Sequence, residues 1–356
     1  MNPTRYAERR EHLRRLMRGR GLEALLVTLD ANRFYLSGFE LQDHQINESS
    51  GCLLILADGN DWLCTDPRYY DAAKRIWDPA RIFIYSGDAA KAVNGLVRDK
   101  ANGVVGFEDN AMTVRFYREF SQGLSLESAN GLVEELRVVK EPEEIVRMEA
   151  AASLNHKLMD WIPGVLTSGK TEEEIAWSVE RFFRENGAES LAFPCITAIG
   201  SNAALPHAVP GKTVLTENTC VLVDVGCRLN EYCSDQTRTF WVGDKPTNAF
   251  MQTLTLVRTA QEKAIVAVRP GAVCSDIYAI AKNHLDEHNV GHVFTHGLGH
   301  GIGLQTHEAP SFNSRNQTIL RPGMVITVEP GLYYPQWGGV RWEYMVLVTE
   351  DGCRIL

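Results

Sequence analysis

Four carboxylates stand inside runs of residues that would otherwise be buried β-strands. Asp224 interrupts VLVDV, Asp235 follows in CSDQTRTF, Glu329 ends the apolar run of MVITVEPG, and Glu343 lies in VRWEYMVLV. A buried carboxylate is costly unless it is paired or bound to a cation. One such acid in a strand is ordinarily a hydrogen-bonded core residue. Four are hard to explain by structure alone: clustered without a cation they would repel, and some would stay protonated. A turn near Arg228–Glu231 would fold the first two segments into a hairpin with Asp224 and Asp235 on one side.

The acids come in two matching sets. Leu215 precedes Asp224 by nine residues and Leu320 precedes Glu329 by nine. Asp224 and Glu329 each stand two residues before a glycine. A second acid follows each, Asp235 after eleven residues and Glu343 after fourteen, and a histidine precedes each, His207 and His307. The flanking segments also match. The first half runs helix, Pro163-Gly164, helix, strands; the second runs helix (about 247–268), Pro270-Gly271, helix (about 275–289), strands. Two similar halves, each offering a histidine and two carboxylates, would converge on one site across a pseudo-twofold axis.

The repeat occupies only the later part of the chain. A length of 356 residues suggests two domains, and residues 1–136 read as alternating helix and strand, an α/β domain. LEALLVT is a buried-strand run, GCLLILADGNDWLCT a hairpin turning at Asp58-Gly59-Asn60, and RIFIY and GVVGF further strands. No GxGxxG or GxxxxGK[ST] loop is present. The boundary falls near LRVVKEPEE, where Pro142 suits the first turn of a helix and Glu141, Glu143 and Glu144 suit its positive end. In TEEEI, Thr171 and Glu174 make a capping box.

Composition excludes several classes of partner. The net charge of −9 argues against nucleic-acid binding, which needs a basic face. No apolar run approaches the roughly 18 residues of a membrane span. Arg5, Arg9, Arg10, Arg14, Arg15, Arg18 and Arg20 hint at a transit peptide, but Glu8 and Glu11 interrupt them, and Tyr6, Leu13, Leu16 and Met17 mark an ordinary amphipathic first helix. The eight cysteines include no CxxC pair and read as reduced thiols of a cytoplasmic protein.

The stretch FTHGLGHGIGLQTHE adds histidines. His284, His288, His292, His296 and His300 recur every four residues, but the interspersed glycines argue against one helix. They suggest a loop and strand whose backbone approaches a crowded site closely. His284 and His288 read as helix-surface residues.

Taken together, these residues resemble the pita-bread metallopeptidases, the family of methionine aminopeptidase, aminopeptidase P and prolidase. Asp224, Asp235, His300, Glu329 and Glu343 look like its five metal ligands. MRGRGLEALLVTLDANRFYLSGF and ELRVVKEPEEI resemble the N-terminal domain and linker of the creatinase, prolidase and aminopeptidase P branch. GSNAALPHAVPG, VDVGCRLNEYCSDQTRTF, FTHGLGHGIGLQTHE, MVITVEPGLY and GGVRWEYMVLVTEDG follow in family order. The implied layout is a creatinase/prolidase-like α/β domain at 1–136 and a pita-bread catalytic domain at 137–356. One departure stands out: Tyr344 follows the last ligand, where an acid or Asn is common, and Trp342 precedes it. These two would alter the surroundings of the ligands or the pocket wall.

The resemblance implies a mechanism as well as a site. Four carboxylates carry −4, which two divalent ions neutralise. Oxygen-rich ligation with one imidazole points to manganese first, with cobalt, iron or zinc as the other candidates. Two cations roughly 3.5–4 Å apart can polarise a scissile carbonyl and activate water. Glu329 is expected to handle the proton; His207 and His307 to hold the substrate and stabilise the oxyanion and departing amine; His296 to contact the bound peptide; Arg341 to orient a ligand carboxylate. The expected protein is a cytoplasmic homodimer that hydrolyses the bond between an N-terminal residue and a following proline. The alternatives are a metal-dependent hydrolase or lyase of a small nonpeptide compound and, on the same fold, a noncatalytic peptide-binding module.

Overall fold

The structure, a computed structural model, describes residues 3–43, 45 and 47–356. The chain divides into two compact units, Met1–Arg137 and Val138–Leu356.

The first unit alternates helix and strand: α1 (Pro3–Gly19), β1 (Leu22–Val27), α2 (Asp30–Ser37), β2 (Cys52–Leu56), β3 (Trp62–Thr65), α3 (Tyr70–Ala73), β4 (Ile82–Ile84), α4 (Ala89–Lys100), β5 (Val104–Phe107), α5 (Val114–Phe120), β6 (Ser125–Ser128) and α6 (Leu132–Val138). The strands form one sheet in the order β4-β3-β2-β1-β5-β6. Only β2 runs antiparallel to its neighbours. Its hairpin with β3 turns at Asp58-Gly59-Asn60, where Gly59 takes a φ of 87° and Asn60 N donates to Asp58 Oδ1 at 2.9 Å.

Helix α1 differs in one respect from the simple amphipathic reading. Leu13 and Met17 are buried, but so are Arg9 and Arg14, whereas Leu16 is half-exposed. The Arg9 guanidinium lies over the Tyr35 ring, 3.9 Å from its centre, and Arg14 donates to Leu56 O at 3.0 Å and pairs with Asp61. A long side chain with a planar, multiply donating head can be buried when its donors meet acceptors, and a hydropathy pattern does not register this.

The second unit is built twice. Its first half comprises α7 (Pro142–Trp161), α8 (Glu172–Glu185), β7 (Ser190–Leu191), β8 (Ile196–Ile199), β9 (Thr219–Val225), β10 (Cys227–Leu229), β11 (Tyr232–Cys233) and β12 (Gln236–Val242). The second comprises α9 (Asn248–Ala267), α10 (Cys274–Glu287), β13 (Gly299–Gly301), β14 (Glu308–Phe312), β15 (Val325–Val328), β16 (Gly331–Tyr334), β17 (Gly338–Arg341), β18 (Tyr344–Val348) and β19 (Cys353–Ile355). The main sheets are β12-β9-β8 and β14-β13-β15-β18-β19.

Helix starts follow local chemistry. Glu174 N donates to Thr171 Oγ1 and Thr171 N to Glu174 Oε2, which satisfies donors that a helix start leaves unpaired. Glu141 N likewise donates to Glu144 Oε2 at 2.9 Å, with Pro142 in the first turn of α7.

The two halves repeat at the level of single hydrogen bonds. Gly169 N donates to Leu215 O at 2.9 Å and Leu215 N returns to Lys170 O at 2.7 Å. In the second half Gly271 N donates to Leu320 O at 2.9 Å and Leu320 N returns to Ala272 O at 2.8 Å. Each exchange locks the start of the second helix of a half onto the segment that leads to its first acid. Leu215 and Leu320 are both buried, so the anchor is apolar as well as hydrogen-bonded.

One histidine lies elsewhere than expected. His284 is buried on α10, with Nδ1 2.9 Å from Lys263 Nζ of α9, rather than on the helix surface. All eight cysteines are free thiols. Among the described residues, no helix is long and apolar enough to cross a membrane.

Candidate metal centre

The paired acids occupy equivalent places in the two halves. Asp224 lies near the end of β9 and Glu329 immediately follows β15; Asp235 immediately precedes β12 and Glu343 immediately precedes β18. In the first half, Asn230 and Glu231 take positive φ angles of 50° and 71° and turn β10 into β11. The chain then returns so that Thr237 pairs with Asp224. Alternation along the strand therefore sends Asp235 and Thr237 toward the same face.

His300 reaches the cluster from β13, between two glycines that nothing larger could replace. A Cβ on Gly299 would fall 2.0 Å from Thr327 O, and one on Gly301 would fall 2.1 Å from Ala309 O. The close backbone approach expected of the glycine-rich stretch is thus found on both sides of His300. Its Nδ1 meets Gly301 O at 3.0 Å, which assigns the proton to Nδ1 and turns the Nε2 lone pair toward the acids. Nε2 lies 3.3 Å from Glu329 Oε1 and 3.7 Å from Asp235 Oδ2. One donor atom each from Asp235, His300 and Glu343 lie within 4.8 Å of one another.

Electrostatics make this cluster unstable as it stands. Burial, reinforced by Glu343, Asp224 and Glu329, pushes Asp235 well above the usual carboxylate range. Burial and the charges of Glu329 and Asp224 do the same to Glu343. Asp224 also rises through burial, although Arg341 opposes the shift. Burial would raise Glu329 too, but Glu329 raises the pKa of His300 in turn, and with a proton on His300 Nε2 the hydrogen bond and charge of that ring outweigh burial and bring Glu329 down to about 2; loss of that proton frees the lone pair for a cation. Asp224 Oδ1 and Glu343 Oε1 are buried with no hydrogen-bond partner, an arrangement native structures avoid unless something else occupies the site. Three donor atoms within 4.8 Å of one another, and orphaned carboxylate oxygens in the same acidic cluster, fit a cation.

The remaining candidates surround this point. Arg341 is buried, contacts Asp224 Oδ2, and donates to Tyr333 Oη at 2.9 Å and Thr237 Oγ1 at 3.1 Å. His296 Nδ1 meets Gly297 O, and its Nε2 lies 2.7 Å from Tyr333 Oη. A chain of donors thus runs from Arg341 through Tyr333 to His296. His207 and His307 are exposed where they line a cavity of about 500 Å³, and the His307 ring centre lies 4.4 Å from that of His300. Burial and the neighbouring His300 lower the pKa of His307. Asp224, Asp235, His300 and Glu329 line the same cavity; Phe193, Pro194, Ile196, Pro206 and Val209 supply apolar wall.

Three polar residues here escaped the sequence reading. Thr237 Oγ1 donates to Glu343 Oε2 at 2.8 Å. Thr327 Oγ1 accepts from His300 N at 3.0 Å and lies 3.3 Å from Glu329 Oε1. Tyr333 joins His296 to Arg341. Thr237 and Thr327 stand two residues from Asp235 and Glu329, on the same strand face, and that period-two spacing was the available signal. Tyr333 gave none, because its role depends on contact between β16 and β17.

Of the two expectations for the departure at 342 and 344, altered surroundings of the ligands or an altered pocket wall, the contacts favour the first. Neither Trp342 nor Tyr344 is among the described residues that line the cavity. Both rings pack against Arg238, whose guanidinium carbon lies 4.4 Å and 4.2 Å from the two ring centres. Arg238 in turn donates to Glu343 O at 2.5 Å.

Residues 146–350 match the family described as Metallopeptidase family M24, and residues 9–139 match the Creatinase/Prolidase N-terminal domain. The chain is 32% identical to the Xaa-Pro dipeptidase of Pyrococcus furiosus over 351 residues, covering 98% of this chain and 97% of that one. Its structure resembles a solved Xaa-Pro dipeptidase from Bacillus anthracis with a TM-score of 0.91 and 31% identity, covering 99% and 97% of the two chains. It also resembles an X-Pro aminopeptidase from Thermotoga maritima with a TM-score of 0.83 and 30% identity, covering 96% and 97%.

Proposed function

Because the chain belongs to metallopeptidase family M24, a family of hydrolases, and carries a creatinase/prolidase-type domain ahead of its pita-bread unit, we propose that it is a metal-dependent peptidase cleaving the bond between an N-terminal residue and a following proline. The observation that carries this reading is the meeting of donor atoms of Asp235, His300 and Glu343 within 4.8 Å, with unsatisfied buried oxygens on Asp224 and Glu343, beside a cavity lined by Asp224, Asp235, His300 and Glu329.

Asp224, Asp235, His300, Glu329 and Glu343 would hold the metal. When bound, divalent ions supply Lewis-acid charge at this point. The reading takes two ions, manganese by preference. Charge supports the count: four carboxylates and the buried Arg341 sum to −3, and two divalent ions turn this to +1, which one anionic oxygen of substrate or solvent balances. The domain limits proposed with it are 1–136 and 137–356. They are supported by the division after Arg137 and by the ends of the two family matches.

The chain's own residues do the rest. Glu329, which Thr327 and His300 hold in place, takes a proton from water and returns it to the departing amine. His307, neutral at pH 7 by its lowered pKa, offers an N–H to the carbonyl oxygen as negative charge develops there, and His207, which lines the same cavity, offers a second. The Arg341–Tyr333–His296 chain fixes the orientation of His296 toward bound peptide. The apolar wall of Phe193, Pro194, Ile196, Pro206 and Val209 suits a proline ring. The free thiols support a reducing, cytoplasmic setting; a homodimer rests on the family resemblance alone.

A hydrolysis screen tests the reading. Protein supplied with Mn(II) is compared with chelator-treated protein on Xaa-Pro dipeptides, longer Xaa-Pro peptides and matched Xaa-Ala controls. The expected result is metal-dependent cleavage confined to the proline series, with the length preference separating dipeptidase from aminopeptidase. Equal turnover of the Xaa-Ala controls, or full activity without metal, would overturn it.

A further inference from the structure

The repeat extends to two buried amides outside the lining of the cavity described above. Asn155 and Gln261 each stand thirteen residues beyond the first residue of the leading helix of their half, Pro142 of α7 and Asn248 of α9. Both are buried, at 1% and 2% exposure. Asn155 Nδ2 donates to Val225 O at 2.9 Å, and its Oδ1 accepts from Ser234 Oγ at 3.0 Å. Val225 follows Asp224 and Ser234 precedes Asp235. Gln261 Nε2 donates to Val328 O at 2.7 Å and to Trp342 O at 2.9 Å. Val328 precedes Glu329 and Trp342 precedes Glu343. In each half, one side-chain amide from the same helical position spans the two segments that carry that half's acids.

We propose that Asn155 and Gln261 are a pseudo-equivalent pair of positioning residues, each of which sets the separation of its two carboxylates before a cation arrives. The proposal rests on the metal-centre reading above. With both members ionised, repulsion within each acidic pair drives its two strand ends apart until a cation is present. A rigid helix that holds both ends through an amide opposes this and keeps the donors pre-arranged, so that the cation does not have to draw them together. An amide suits the task because it bridges without adding charge. A carboxylate here would lose the donors to the carbonyls and place a fifth negative charge behind the cluster.

The test uses the full chain, stripped of metal and titrated with Mn(II) by calorimetry at a temperature where circular dichroism shows every variant folded. Gln261→Leu and Asn155→Leu keep bulk and remove the bridge. Each is expected to bind Mn(II) about 10–100-fold more weakly than the parent, the loss typical of residues that orient metal ligands. Val257→Ala, a buried apolar change on the same helix α9, should lower Tm without moving the affinity, which separates positioning from general destabilisation. Should Gln261→Leu fail to fold, Gln261→Asn decides: it keeps the amide but is one methylene short of spanning both carbonyls, and weaker binding is again expected. Folded bridge variants that bind Mn(II) like the parent would overturn the positioning role. A parent protein that binds no divalent ion would instead overturn the metal-centre reading on which it rests.

Discussion

Arg341 and Asp224 form a buried ion pair within a cluster whose other close members are three carboxylates and an imidazole. The pair gives Asp224 Oδ2 a partner while leaving Oδ1 without one. It also anchors the chain of donors through Tyr333 to His296. Burial would lower the pKa of Arg341, but Tyr333, Asp224 and Glu329 raise it well above its ordinary value, so it stays charged at any working pH.

Arg341→Met should therefore be among the most damaging single changes in the second unit. Removing one partner of a buried ion pair strands the other charge, at a typical cost of roughly 3–5 kcal/mol. Urea unfolding of metal-free protein should show that loss. A midpoint within error of the parent would mean that the pair contributes nothing.

Asp235→Asn should act in the opposite sense on the metal-free protein. It removes an acid whose ionisation burial and the neighbouring carboxylates already oppose, so the metal-free Tm should hold or rise. The stabilisation gained on adding Mn(II) should largely vanish. For the parent that gain is about 2.7 kcal/mol at one hundred times the dissociation constant. Scanning calorimetry with and without Mn(II) reads both effects.

His307→Ala should separate chemistry from metal binding. The residue lines the cavity beside His300, while the five candidate ligands are complete without it. Loss of one oxyanion donor typically lowers kcat by on the order of 10²–10³. Metal content should stay near that of the parent. An increase in KM with kcat unchanged would assign His307 to substrate binding alone, and loss of metal would make it a ligand.

The first unit should carry a pH-dependent stability of its own. Glu108 is buried; burial first, with the Glu134 charge adding, raises its pKa from 4.5 to about 7 against the pull of hydrogen bonds from Leu29 N, Asn32 Nδ2 and Thr28 N. The folded state therefore binds more protons than the unfolded state between about pH 4.5 and 7. Stability contributed by this group is greatest below that window and falls as pH rises through it, by on the order of 3 kcal/mol in all. Hydrogen exchange of amides in residues 3–137 of the full chain, followed from pH 5 to pH 8, should show the fall. Glu108→Gln should flatten it.

Gly299→Ala should disable the site without removing any polar group. The new Cβ would meet Thr327 O at 2.0 Å, and β13 would have to shift, carrying His300 with it. Overpacking of this kind costs about 1–3 kcal/mol or more, and Mn(II) affinity should fall together with stability.

Much of the second unit was legible because its chemistry is written as exceptions to local rules. Asp224, Asp235, Glu329 and Glu343 stand where apolar residues should, and the nine-residue spacings from Leu215 and Leu320 mark the repeat. Thr171 and Glu174 announce their helix start by side-chain chemistry alone. Arg9, Arg14 and His284 are buried against their hydropathy, which assigns a charged or polar residue to the surface wherever it stands. What buries them is a partner distant in sequence, such as Tyr35, Asp61 or Lys263.

By itself, the sequence determined the identity of the acids, the order of the elements and the doubling of one half into another, since each is a property of neighbours along the chain. Only the tertiary structure decided which groups share a volume. It packed Trp342 and Tyr344 against Arg238, joined Arg341 to Tyr333 and His296, and placed Asn155 and Gln261 at equivalent posts behind the acids. Such relations depend on two segments meeting at hydrogen-bonding distance, and the packing of helices against sheets sets that distance with tolerances of a few tenths of an ångström. No local pattern encodes it.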